Sequence, residues 1–138
     1  MAVILDGKKL RDKIFVDLKN KIDQMDKKPT LVVILAGENP ASQIYVKNKK
    51  KTAENLGINS VVINYPDTVS EQELLEKINE LNNDKDVTAI LVQLPLPEHI
   101  DKFKVIDAIS PKKDVDGLTP YNCGKLFSGE EPYVYPCT

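Results

Sequence analysis

Uncharged, β-branched runs punctuate the chain at Leu31–Ala36 (LVVILA), Ser60–Tyr65 (SVVINY) and Val87–Val92 (VTAILV). Runs this short, and nearly free of charge, predict strands buried on both faces, as inside a parallel sheet. Between them the period changes from a continuous run to that of a helix. Leu10, Ile14, Leu18 and Ile22 recur every fourth residue, and Phe15 and Met25 widen that apolar stripe. Ser70 and Glu73 form a capping box ahead of Leu74, Leu75, Ile78 and Leu81. A further short helix is expected from Asp101 to about Ile109, buried through Phe103, Ile106 and Ile109. Alternating strands and helices imply right-handed crossovers. The expected fold is therefore a three-layer α/β/α domain with a mainly parallel sheet and helices on both faces. Ligands in such folds bind beyond the carboxyl ends of the strands, which directs attention to Gly37–Ser42 (GENPAS) and Gln93–Pro97 (QLPLP).

The segment Ser42–Ile58 (SQIYVKNKKKTAENLGI) carries four lysines, and a helical projection separates one of them. With Ile44 at zero, Tyr45, Leu56, Ala53 and Val46 fall between roughly 100° and 200°. Lys47, Lys50 and Lys51 fall on the other side, at roughly 240° to 340°. Lys49 falls at about 140°, inside the apolar face and one turn from Tyr45. Such a lysine can lay its stem on apolar surface and send its ammonium to water. It can also sit partly desolvated at the crevice, where a neutral amine becomes available for proton transfer. Tyr45 likewise reads as an ordinary half-buried aromatic or as a stacking platform with a polar tip.

Composition narrows the chemistry. The chain of 138 residues fits one domain, and 19 basic against 21 acidic residues give a net charge of −2. That balance argues against a nucleic-acid or anionic-membrane surface as the main business. No run approaches the ~20 apolar residues of a membrane helix, and the N-terminus lacks the marks of a signal peptide. Cys123 and Cys137 are too few for a disulfide scaffold, so a reduced cytosolic setting is expected. With His99 as the only histidine, most zinc and histidine-base mechanisms fall away. The six glycines form no dinucleotide or Walker fingerprint. The tail Tyr133–Thr138 (YVYPCT) begins like a strand or extended segment and stops without a capping element, as a chain that continues would.

Two more features belong to the same rim. Gln93 ends an apolar strand and can donate and accept at once, which suits it to orient an amine or polar ring, or simply to be solvated. In PKKDVDG, Asp114 reads as a turn residue bonding the local backbone. Asp116 could face the crevice and hold an aminopyrimidine-type N–H edge. An Asp-x-Asp metal site is disfavoured, because no further oxygen ligands lie nearby in sequence. Cys137, beside Pro136, reads as packing or pocket wall.

Together ENPASQIYVKNKKKTAENLGI, ILVQLPLP, PKKDVDGL and the terminal PCT resemble the methylenetetrahydrofolate dehydrogenase / methenyltetrahydrofolate cyclohydrolase family. The resemblance covers the whole chain but only the amino-terminal half of that family's length. It implies that residues 1–138 form the folate-binding catalytic domain, and that the Rossmann-type domain binding NADP or NAD lies outside it. Lys49 is implied as the catalytic lysine, Gln93 as the residue that holds and tunes it, Tyr45 as packing along the folate, and Asp116 as the pterin anchor. Ser42, Val46, Lys47, Asn48, Val92 and Leu94 complete the implied substrate contacts.

In that family 5,10-methylene-tetrahydrofolate is oxidised by hydride transfer to the nicotinamide, and the methenyl cation is hydrolysed to 10-formyl-tetrahydrofolate. The implied setting is cytoplasmic one-carbon metabolism serving purine biosynthesis, with no metal, nucleic acid or membrane partner. A homodimer is implied for the two-domain enzyme and a monomer for this half. A folate-binding module without turnover, or a lysine Schiff-base enzyme, are the competing readings.

Overall fold

The computed structural model describes residues 4–136. In chain order the elements are α1 (Gly7–Asp23), β1 (Thr30–Ala36), α2 (Pro40–Asn55), β2 (Asn59–Tyr65), α3 (Glu71–Asn83), β3 (Ala89–Gln93), α4 (Lys102–Asp107) and α5 (Pro120–Phe127). The sheet is parallel with order β2-β1-β3, and Val33 of β1 stands opposite Val62 and Leu91. The chain steps outward from β1 to β2, then back past β1 to β3. Two crossovers of the same hand running in opposite directions put their helices on opposite faces.

The core shows that arrangement. Leu74, Ile78 and Leu81 of α3 and Val105 of α4 pack with Val32, Ile34, Ile90 and Val92 on one face. Val46 of α2 packs with Val33, Leu35 and Leu91 on the other. The expected three-layer α/β architecture is therefore present.

Local chemistry starts each helix. Asp6, Asn39, Ser70, Asp101 and Thr119 are N-caps whose side chains accept from first-turn N–H groups. Pro40 and Pro120 occupy the first helical positions, where the missing N–H costs nothing.

Several expectations need correction. β1 and β3 are buried, but β2 is not: it alternates along an uncovered edge, with Val61 47% exposed, whereas β3 at the other edge is flanked by the Lys113–Asp114 segment bonded to Ile90. β3 begins at Ala89, with Val87 buried in the turn before it. Phe103 is 72% exposed, and Val105 takes the core position in α4. Residues two apart on a helix stand about 200° apart, so burying Val105 turns Phe103 outward. On α1 only Ile22, in the last turn, is buried; Leu10, Ile14 and Leu18 are exposed, and so is Met25, which lies past the end of the helix. An amphipathic stripe shows that a face is apolar, not that the same domain covers it. The helix α5 was not anticipated, and residues 133–136 form no strand. Cys137 and Thr138 lie outside the described residues, so the pocket-wall reading of Cys137 is not addressed.

Candidate active site at the carboxyl end of the sheet

Gln93 is the last residue of β3, beside Leu35 near the end of β1. α2 starts just past the end of β1 and runs back along the sheet, so its early turns flank the same edge. Lys49 lies about 14 Å along that helix from Pro40, at 1.5 Å per residue. Helical side chains lean toward the N-terminus, so its long stem returns the amine to the strand ends. There Lys49 Nζ donates to Gln93 Oε1 at 3.5 Å. Gln93 Nε2 donates to the Leu94 carbonyl at 2.8 Å, which orients the amide so that its oxygen faces the lysine. Buried Ser42, in the first turn of α2, directs its hydroxyl to the same carbonyl at 3.5 Å, while Asn39 caps its N–H.

One recess is lined by Lys49, and two others by Leu94, the residue after Gln93. Tyr45, Asn48 and Lys49 line an apolar groove of about 380 Å³ along α2, shared with Ala53 and Leu56. Leu94 to Pro97 and α4 line an open groove of about 630 Å³. Asp116, Val92 and Leu94 line a small cavity of about 10 Å³ between β3 and the KDVDG segment. Leu94 is common to the last two and adjoins Gln93, whereas Lys49 lines neither of them.

The structure thus brings Lys49, Gln93, Leu94 and Ser42 into one hydrogen-bonded chain, with Tyr45 and Asn48 beside Lys49 and with Asp116 and Val92 beside Leu94. Tyr45 is 62% exposed, more open than the ordinary half-buried aromatic that was one of its two readings. The buried residues of α2 are Ser42, Val46 and Ala53, which share one side of the helix; at about 100° per residue Tyr45 falls beside that side and not on it, so solvent reaches its ring. The Val46 side chain faces the core, and Lys47 is exposed. His99 Nε2 lies 2.8 Å from the Val69 carbonyl, a structural contact far in sequence from the lysine. Among the described residues no cluster of His, Cys, Asp and Glu fit to hold a metal is present, and no helix is long and apolar enough to cross a membrane.

Sequence reasoning missed the group behind Asp116. Asp114 is buried, and its Oδ2 accepts from Thr119 N at 2.8 Å and from Asn122 Nδ2 at 3.0 Å. The available signal was Thr119-Pro120, an N-cap followed by proline at the first helical position.

Comparison with known proteins gives the family. The family described as tetrahydrofolate dehydrogenase/cyclohydrolase, catalytic domain, matches residues 5–116. The chain belongs to this family. Among relatives of the tetrahydrofolate dehydrogenase/cyclohydrolase family, the bifunctional protein FolD of a Wolbachia from Drosophila simulans is 52% identical over 142 residues, covering 100% of this chain and 49% of the relative. That of Pediococcus pentosaceus is 55% identical, covering 97% and 48%. The crystal structure of FolD-methylenetetrahydrofolate dehydrogenase/cyclohydrolase from Campylobacter jejuni superposes with a TM-score of 0.94 at 46% identity, covering 98% of this chain and 49% of that one. The Trypanosoma brucei enzyme, solved with NADP cofactor and inhibitor, gives 0.90 at 33% identity, covering 99% and 48%. The chain spans about half the length of the curated relatives it matches.

Proposed function

We propose that this chain is the folate-binding catalytic half of a methylenetetrahydrofolate dehydrogenase / methenyltetrahydrofolate cyclohydrolase, acting in cytoplasmic one-carbon metabolism that serves purine biosynthesis. The observation that carries the reading is the Lys49–Gln93–Leu94 hydrogen-bonded chain at the end of β3. Residues 1–138 are one domain in this reading, and a second, NADP- or NAD-binding domain lies beyond them. The longer enzyme is a homodimer, and this half alone a monomer.

Folate would lie along Tyr45, with Asp116 binding the pterin N–H edge and Val92 and Leu94 supplying apolar and backbone contacts. Ser42, Val46, Lys47 and Asn48 line the approach through the first turns of α2, Val46 by its backbone because its side chain is in the core. The methenyl group is cationic, so a fixed ammonium beside it would oppose binding, whereas an amine that exchanges a proton is tolerated. Gln93 Oε1 accepts one N–H of Lys49 and so sets where the rest of the amine points. Lys49 then takes a proton from the attacking water and returns one as the carbon–nitrogen bond opens. A nicotinamide cofactor would supply the hydride acceptor for the oxidative step. The six glycines of this chain form no dinucleotide or Walker fingerprint, so that cofactor would be held by residues outside it.

Methenyl hydrolysis needs no oxidant and can be assayed on this chain. Calorimetry with 5-formyl-tetrahydrofolate and a methenyl-hydrolysis assay should show binding and turnover, with turnover abolished in Lys49→Met. Wild-type hydrolysis by that variant, or no binding by the unaltered chain, would sink the assignment. Binding without any hydrolysis would make it a folate-binding module.

A further inference from the structure

Asp116 sits in a turn whose anchorage depends on a residue outside the site. The Asp114 carbonyl accepts from Gly117 N at 3.2 Å, closing a turn with Val115 and Asp116 at its crown. One foot of the turn is tied to β3: Ile90 N donates to the Lys113 carbonyl at 2.7 Å, and Ile90 and Asp114 form a parallel bridge. The other foot is tied by the Asp114 carboxyl group, which accepts from Thr119 N. That group is 2% exposed and is held by amide donors, not by an ion pair among the described residues.

Asn122, 0% exposed, joins these parts. Both hydrogens of its amide are used, on the Pro111 carbonyl at 2.9 Å and on Asp114 Oδ2 at 3.0 Å. Its carbonyl oxygen accepts from Tyr133 N at 3.1 Å. That last bond draws in the tail, whose backbone lies over Gly117: a Cβ there would meet Pro136 N at 2.7 Å and the Val134 carbonyl at 2.9 Å. One buried side chain therefore grips the entrance of the turn, its carboxyl strut and the segment that roofs it. An amide with every donor and its acceptor engaged has one low-energy orientation, which is what a residue that sets a geometry requires.

We propose that Asn122 is the positioning residue for Asp116, holding that carboxylate where the pterin edge is read and coupling it to the 133–136 segment. The proposal rests on the reading of Asp116 as the folate anchor. The test is a double-mutant cycle on this chain, with 5-formyl-tetrahydrofolate affinity by calorimetry as the readout. Asn122→Ala should weaken binding on the order of tenfold, and that loss should vanish when Asp116→Asn is already present. A purely stabilising residue lowers the melting temperature and the active fraction in both backgrounds and shows no such coupling. If Asn122→Ala does not fold, Asn122→Ser carries the same cycle. The same loss in both backgrounds, or unchanged affinity in Asn122→Ala while Asp116→Asn binds weakly, overturns the proposal alone. Unchanged affinity in Asp116→Asn, or no binding by the unaltered chain, overturns the folate-anchor reading and the proposal with it.

Discussion

Lys49 Nζ and Gln93 Oε1 stand 3.5 Å apart, joining the interior of α2 to the last residue of β3. The contact is long for a hydrogen bond donated by a lysine nitrogen, so the pair can tighten when ligand excludes water. The glutamine is the less mobile partner, because its amide is already committed to the Leu94 carbonyl. Replacing it with glutamate puts a fixed negative charge beside the amine and holds the lysine protonated. Gln93→Glu and Lys49→Met should therefore each slow methenyl hydrolysis by about 10²- to 10⁴-fold, the usual worth of a general acid–base group. Rates followed by loss of methenyl absorbance check this; undiminished hydrolysis in Gln93→Glu would show that the reaction needs no proton transfer by Lys49.

Leu74 and Phe103 make a matched pair for stability. Leu74 is fully buried against the sheet, whereas Phe103 is 72% exposed on α4. Leu74→Ala removes buried methyl groups and leaves a cavity, at a cost of roughly 2–5 kcal/mol. Phe103→Ala removes a larger side chain yet should stay within about 0.5 kcal/mol of the parent. Urea midpoints of the two variants provide the measurement, and a Phe103→Ala loss as large as that of Leu74→Ala would contradict the packing described.

The difference between those residues marks what was legible in the sequence. β1, β3 and the burial of α3 were readable because a strand covered on both faces or a strongly amphipathic helix has one way to hide its apolar residues. The exposure of β2, of Phe103 and of the α1 stripe was not, since each depends on which neighbour is present. Lys49 was singled out by its angle on α2, and its contact with Gln93 follows from that angle and the strand ends. Asp114 read as a turn residue, which describes its backbone but not its burial. Asn122 carried no periodic signal at all. Its importance arises from contacts with Pro111, Asp114 and Tyr133, which come together only in the folded chain.

Gly117 should be intolerant of substitution for two separate reasons. Its φ of +68° is in the left-handed region, and the backbone of the 134–136 segment occupies the space of a Cβ. Backbone strain of this kind costs about 1–3 kcal/mol, and the rigid neighbour adds to it. Gly117→Ala is expected to lift the tail, raise its susceptibility to limited proteolysis and weaken 5-formyl-tetrahydrofolate binding through Asp116. Gly124→Ala is the control, because nothing lies within 4 Å of its added Cβ. Equal protease resistance in both variants would remove the tail from the account of the site.

Glu71 gives the fold a pH dependence whose sign follows from its contacts. Its carboxylate accepts from Lys104 Nζ, and also from Asp101 N at 3.0 Å, joining the start of α3 to the start of α4. The bond from Lys104, followed by the one from Asp101, holds Glu71 below its ordinary value of 4.5. The stabilisation is therefore complete above 4.5 and is lost as pH falls through the lower native value. Lys104 shifts the opposite way, raised above 10.5 chiefly by the hydrogen bond to Glu71, so its share is complete below 10.5 and is lost as pH rises through the higher native value. Both groups are at the surface, where salt screens the pair, so the effect should be small and should shrink as ionic strength rises. Glu71→Gln should melt slightly below the parent at neutral pH, and the gap should close on acidification. A gap of constant size down to acid pH would mean that the junction is held by packing of α3 on α4 and not by this carboxylate.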